Sequence, residues 1–255
     1  MNQLIASEFE RIWEMKIVKG FFVLFLVITG FCIYFLTLFD NGQFTRDSHT
    51  ALNAVNFPWF LLREVSFFVV LLFMPFLYVV VFNGEIHSKA YYLILYRPYQ
   101  RAQFLMSKWS TLALTAFFVT LIIFLAGIAA GIMLYPMPEY IELYNDPTKY
   151  SLFSGYLYTI KYFGLFFVVL LSGMALSTVI SLIAPNPVIA FFSILIAFIV
   201  PIYFSADFLY LLLPSQSIFI ALSESGWPDL YSIVPLILAG GGMVSFFIWR
   251  HMDFK

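Results

Sequence analysis

The chain has 255 residues, of which 62% are apolar and 11% charged, with a mean hydropathy of +0.93 and a formal net charge of −1. That balance excludes a soluble domain of ordinary composition, and with no basic tract it excludes nucleic acid as a partner. The single cysteine, Cys32, can form neither an internal disulfide nor a zinc cluster.

Taken in order, residues 1–18 read as a helix lying in the membrane interface. Ile5, Phe9, Ile12 and Trp13 share one face, with Ser7, Glu8, Arg11 and Glu14 opposite. The first apolar run then begins too late and runs too long for a cleavable signal peptide, so it is expected to remain as a span over Gly20–Phe39. Asp40 to Phe60 reads as a polar loop with Asn41-Gly42 as a turn signal. Arg63 and Glu64 mark the edge of a second span, Val65–Phe82, which tolerates Pro75 because neighbouring helices can satisfy the freed carbonyl. The segment 83–108 is the longest break in apolar character that carries a cationic cluster: Lys89, Arg97, Arg101 and Lys108. Its first part is amphipathic, Pro98 stops or kinks it, and a new helix brings Lys108 to the edge of the third span, where its stem can snorkel to the headgroups.

The third span is expected at Trp109–Leu134, where Gly127 and Gly131 form a small-xxx-small pattern read first as generic packing and second as a dimer contact. Tyr135 to Thr159 is a loop rich in Pro, Tyr and acid. The fourth span covers Lys161–Ile183, with Ser172, Gly173, Ala175 and Ser177 as a small-residue face. After the turn at Pro185–Pro187 comes a short fifth span, Val188–Phe204. In 205–229 two apolar pieces, Phe208–Leu213 and Ile218–Leu222, are each too short to cross, and Pro214 separates them. They read as a helical hairpin dipping into the outer leaflet. The sixth span is Leu230–Trp249.

With both ends inside, nine of the thirteen Lys and Arg residues fall on the cytoplasmic side, which supports an even number of crossings. The expected fold is therefore an all-α polytopic membrane protein with six transmembrane helices, an N-terminal interfacial amphipathic helix, a cytoplasmic coupling helix and a short extracellular re-entrant hairpin. The span cores as drawn contain no ionisable residue. There is no H-E-x-x-H and no G-x-x-x-x-G-K-[ST], so no constellation supports an enzyme, a proton-driven carrier or a nucleotide site on this chain. A transporter of this kind must draw its energy from another subunit, and a short helix held between two spans on the cytoplasmic side is a place for that subunit to dock.

One local pattern goes further. Gly84-Glu85, a Leu-rich stretch ending Leu95-Tyr96-Arg97-Pro98, then Arg101 and Lys108, resembles the permease subunits of ABC-2 type transporters. Tyr96-Arg97 is bulkier before the proline than is usual there, and Ser107 stands in place of a common Gly. The layout of the whole chain (interfacial helix, six spans, coupling segment 83–103, outer hairpin 205–229) is similar to that family's as one permease domain over 1–255. The resemblance implies an ATP-driven exporter in a cell membrane, of bacterial type, with both termini cytoplasmic. Two permease chains would bind two copies of a separate ATP-binding cassette ATPase, which would carry the ATP and Mg; no cofactor is implied on this chain. It further implies ATPase coupling through Glu85, Lys89, Tyr92, Leu95, Arg97, Pro98 and Arg101, with the interfacial helix near Glu10, Arg11 and Glu14 close to the ATPase. The aromatic content points to a hydrophobic or amphipathic substrate, a peptide or drug. Glu139, Glu142, Asp146, Glu224 and Asp229 could form an acidic outer mouth, against the plainer reading of charge bias. The alternative function is a membrane immunity protein that sequesters a toxin or peptide without pumping.

Overall fold

The computed structural model describes residues 2–45, 48–87, 100–223 and 229–252. The coupling positions Lys89, Tyr92, Leu95, Arg97 and Pro98, and Glu224 of the acidic mouth, lie outside the described residues. The chain is an all-helical membrane-type protein with two small hairpins. Its elements in order are α1 (Asn2–Glu14), α2 (Lys16–Phe39), β1 (Asn41–Thr45), β2 (Ser48–Ala51), α3 (Phe57–His87), α4 (Arg101–Leu134), β3 (Ile141–Leu143) and β4 (Asp146–Tyr150). There follow α5 (Leu152–Ile183), α6 (Pro187–Ile199), a 3₁₀ turn at Ala206–Leu211, α7 (Pro214–Ser223) and α8 (Asp229–His251). Among the described residues, five helices are long and apolar enough to cross a bilayer: α2, α3, α4, α5 and α8. α6 continues as a 3₁₀ turn through Tyr203 because Pro201 cannot donate to the helical ladder. Together the two pieces are about 27 Å long, just under the ~30 Å of a hydrocarbon core.

Burial divides these helices into two classes. α3 and α5 are packed on most sides, whereas α2, α4 and α8 leave most of their apolar residues uncovered by the chain itself. α3 is the central post. Trp59, Phe60, Val65, Phe73 and Leu77 are fully buried along its length. Its interior polar atoms are paired with α5: Trp59 Nε1 donates to Thr159 Oγ1 at 2.7 Å, and the Tyr78 hydroxyl to the Leu170 carbonyl at 3.1 Å. A buried N–H or O–H without a partner would cost about 1–3 kcal/mol, so these bonds also fix how the two helices face each other.

α3 starts eight residues before the expected second span. The cause is a cap rather than hydropathy: the Asn53 and Asn56 side-chain oxygens each accept from the other's backbone N–H, at 2.9 and 2.8 Å, and Pro58 sits in the first turn. Arg63, expected at a membrane edge, is thereby inside the helix, and it donates to the Gln43 carbonyl of β1 at 2.5 Å. α4 and α5 also start earlier than the apolar runs. A reciprocal Gln100–Gln103 capping box opens α4, and Ser151 caps α5 by accepting from the Ser154 N–H at 3.4 Å. The two polar loops are antiparallel hairpins. Asn41-Gly42 opens β1 instead of making a turn, because Asp40 already reverses the chain in a left-handed conformation (φ 49°) as the C-cap of α2. Asn145 (φ 55°) turns the second hairpin.

Small residues set the closest helix contacts. A Cβ at Gly131 would lie 2.6 Å from the Ala54 carbonyl oxygen, and one at Gly127 2.8 Å from Pro58 Cα. The small-xxx-small pattern of α4 therefore packs on the start of α3 within the chain, the first of its two expected uses. Gly241 of α8 meets Ala175 of α5 in the same way, where a Cβ would be 3.0 Å from backbone.

α3 contains two wide π turns, at Val69–Phe73 and Val80–Gly84. The first precedes Pro75, whose ring would clash with the carbonyl four residues back, at Leu71. The wider turn accommodates it locally. The second turns Asn83 toward the end of α5, where its Nδ2 donates to the Ser181 and Ala184 carbonyls at 2.9 and 2.7 Å.

Candidate coupling site: a buried charge quartet at the terminal face

The first turns of α4, the last turn of α3 and the whole of α1 meet at one end of the molecule. The contacts follow from a stripe that hydropathy alone misplaces. Leu4, Glu8 and Ile12, spaced four apart, form the buried face of α1, with Ile5, Phe9 and Trp13 half-buried beside them. Glu8 was expected on the polar face. It turns inward because α4 presents Lys108 to it.

Lys108 does not snorkel. It is 1% exposed, and its ammonium has three acceptors: Glu85 Oε2 at 2.5 Å, the Val81 carbonyl at 3.1 Å and Glu8 Oε2 at 3.6 Å. The Arg11 guanidinium donates to Glu8 Oε2 at 2.6 Å and pairs with Glu85 Oε1. Two acids and two bases thus alternate from three separate elements and sum to zero. An isolated charge here would cost several kcal/mol to desolvate, whereas a neutral, hydrogen-bonded set can stay buried (about 5% exposure for both acids). Arg11 Nε has no acceptor among the described residues. Glu10 and Glu14, the other expected interfacial positions, are exposed.

Arg101 sits apart from this quartet. Its guanidinium donates to the Arg250 and Met252 carbonyls at 3.4 and 3.2 Å, satisfying the end of α8, and Trp249 Nε1 donates back to the Arg101 carbonyl at 2.8 Å. These bonds place the start of α1, the start of α4, and the ends of α3, α5 and α8 on one face, which carries both chain ends. We call it the terminal face.

On the opposite face, the Tyr135 hydroxyl bonds the Asp40 side chain and so joins the ends of α4 and α2. Burial first, then the Asp40 charge and that bond, raise the phenol above its ordinary pKa. Glu139 and Glu142 are exposed near the second hairpin. Asp146 is engaged within that hairpin. It accepts from the Tyr150 hydroxyl at 2.6 Å, the Thr148 hydroxyl at 2.7 Å and the Thr148 N–H at 3.0 Å, and these bonds hold its carboxyl below the usual range. Asp229 lines a separate 220 Å³ cleft with Asp207. Of the acidic-mouth residues, then, Asp146 serves its own turn and Asp229 lies in a cleft formed by other elements. A 420 Å³ cleft between α2 and α3 has Phe35, Leu36, Phe39 and Phe60 on its walls and Arg63 and Glu64 at one side. No group of His, Cys, Asp and Glu among the described residues could hold a metal ion.

Sequence reasoning missed Glu8 and the role of Lys108. The available signal was the four-residue spacing Leu4-Glu8-Ile12, an acid in line with two buried aliphatics. No protein-family model and no curated protein matches the chain.

Proposed function

We propose that the chain is the permease subunit of an ATP-driven exporter of ABC-2 type, moving a hydrophobic or amphipathic substrate out of the cytoplasm or inner leaflet. The observation that carries this reading is the charge quartet. It ties the interfacial helix α1 to the end of α3, from which the 83–103 coupling segment departs, and to the helix that receives that segment, α4. A push on any one of the three would be passed to the others through charged hydrogen bonds rather than through slack side chains. The terminal face is then cytoplasmic, α6 with its 3₁₀ extension is the fifth of six crossings, and the hairpin of Ala206–Leu211 and α7 re-enters from outside. Ser215 of α7 lies 3.3 Å from Ser66, about 13 Å along α3 from its start, which supports re-entry. The amphipathic walls of the α2–α3 cleft favour an amphipathic cargo. Energy comes from two ATPase copies docked at the terminal face, with a second permease chain beside this one.

The test is co-expression with the ATPase encoded beside it and ATP hydrolysis in lipid nanodiscs. Glu85→Arg should abolish coupled hydrolysis. Because Glu85 is buried, exposed Glu10→Arg and Glu14→Arg serve as variants that leave the fold intact, and they should weaken ATPase association. A folded chain that binds no ATPase, yet protects cells depleted of energy against a toxin, would replace this reading with the sequestering one.

A further inference from the structure

A second site lies on the terminal face, away from the quartet. Where α4 begins and α8 ends, a cleft of 410 Å³ is lined by Gln100, Arg101, Ala102, Phe246, Trp249 and Arg250. The volume falls within the roughly 300–1,000 Å³ range of small-ligand sites. Two guanidinium groups stand at its rim and no carboxylate is among these lining residues, so the cleft carries an uncompensated double positive charge. Arg101 is pre-organised by its bonds to the Arg250 and Met252 carbonyls, and Trp249, 1% exposed, is locked by its bond to the Arg101 carbonyl. Below the rim the lining is apolar. Phe246 continues along α8 into an outward face where Met243 and Phe247 are 72% and 64% exposed. Cationic rim, aromatic floor and apolar track thus follow one another down the ends of two membrane-spanning helices.

We infer that this cleft binds the phosphate headgroup of an anionic phospholipid of the leaflet at the terminal face, with one acyl chain running along Phe246 and Met243. Guanidinium groups bind phosphate oxygens through paired charge-assisted hydrogen bonds, and the depth of the site matches a headgroup rather than a chain end. A soluble anion would be recognised by the same rim but would gain nothing from the track. The site depends on none of the coupling chemistry proposed above.

The test is native mass spectrometry of the full delipidated chain titrated with phosphatidylglycerol or phosphatidylcholine. Wild type should hold phosphatidylglycerol about tenfold more tightly, the equivalent of one good charged hydrogen-bond pair. Arg250→Gln should bring the two lipids to near parity, and Arg250→Lys should keep part of the preference. Ala102→Trp, which fills the cleft and leaves both charges, should also lose phosphatidylglycerol. Equal binding of the two lipids by wild type would overturn the proposal. So would an Ala102→Trp variant that binds as wild type does, since diffuse surface charge would then explain the preference. Displacement of the lipid by millimolar inorganic phosphate would assign the cleft to a free anion and end the lipid assignment.

Discussion

At the scale of single residues, the quartet makes a sharp demand. Removing one member leaves an unbalanced charge in a dry site, so Lys108→Met should lower stability by about 3–5 kcal/mol, read from thermal unfolding in detergent. Lys108→Met with Glu85→Gln removes one charge of each sign, and the double variant should be more stable than the sum of the single effects implies. Asp146 makes a different demand, set by pH. Its carboxyl is held below the ordinary range by the Tyr150 hydroxyl first and the Thr148 groups next. Its contribution to the hairpin is therefore complete above the unfolded carboxylate range and disappears as pH falls through the lowered value. Hydrogen exchange at the Thr148 amide should speed up on acidification in wild type and be fast at every pH in Asp146→Ala. Neither the quartet nor this turn could be read from charge pattern alone. Glu8 looks like a surface acid until a second helix presents Lys108 to it, and that pairing spans a hundred residues of sequence.

At the scale of elements, glycines give paired predictions. Gly131→Ala places a methyl against the Ala54 carbonyl and should cost about 1–3 kcal/mol by overpacking the α3–α4 contact. Gly240→Ala meets nothing within 4 Å and should be neutral or gain up to about 1 kcal/mol from helix propensity. Thermal unfolding of the two variants side by side checks both. The helices themselves were legible because twenty or so apolar residues in lipid leave the backbone no alternative. Their ends were not. α3, α4 and α5 each begin some eight or nine residues before the apolar run, at caps built from Asn53–Asn56, Gln100–Gln103 and Ser151. A hydropathy window sees the membrane boundary, whereas a cap sees the backbone, and here the two differ by more than two turns. The hairpins escaped for a related reason: strands of three to five residues carry too few positions to show alternation.

At the scale of the whole molecule, both chain ends share one face, and burial is concentrated in α3 and α5. The even number of crossings proposed above is checked with single cysteines in a Cys32→Ala background. Glu14→Cys and Glu139→Cys should react with an impermeant maleimide from opposite sides of the membrane, and labelling of both from one side would end the six-crossing reading. The second π turn, at Val80–Gly84, has a consequence of its own. A π turn holds one residue more than the α turn it replaces, so it acts as an offset between the post below and the segment above. Deleting Val80 would let the ladder close as ordinary α-helix and rotate everything after it by about 100° while moving it only about 1.5 Å along the axis. Glu85 would then point away from Lys108. The angular phase of the chain as it leaves the membrane is thus set independently of its depth, by a single extra residue.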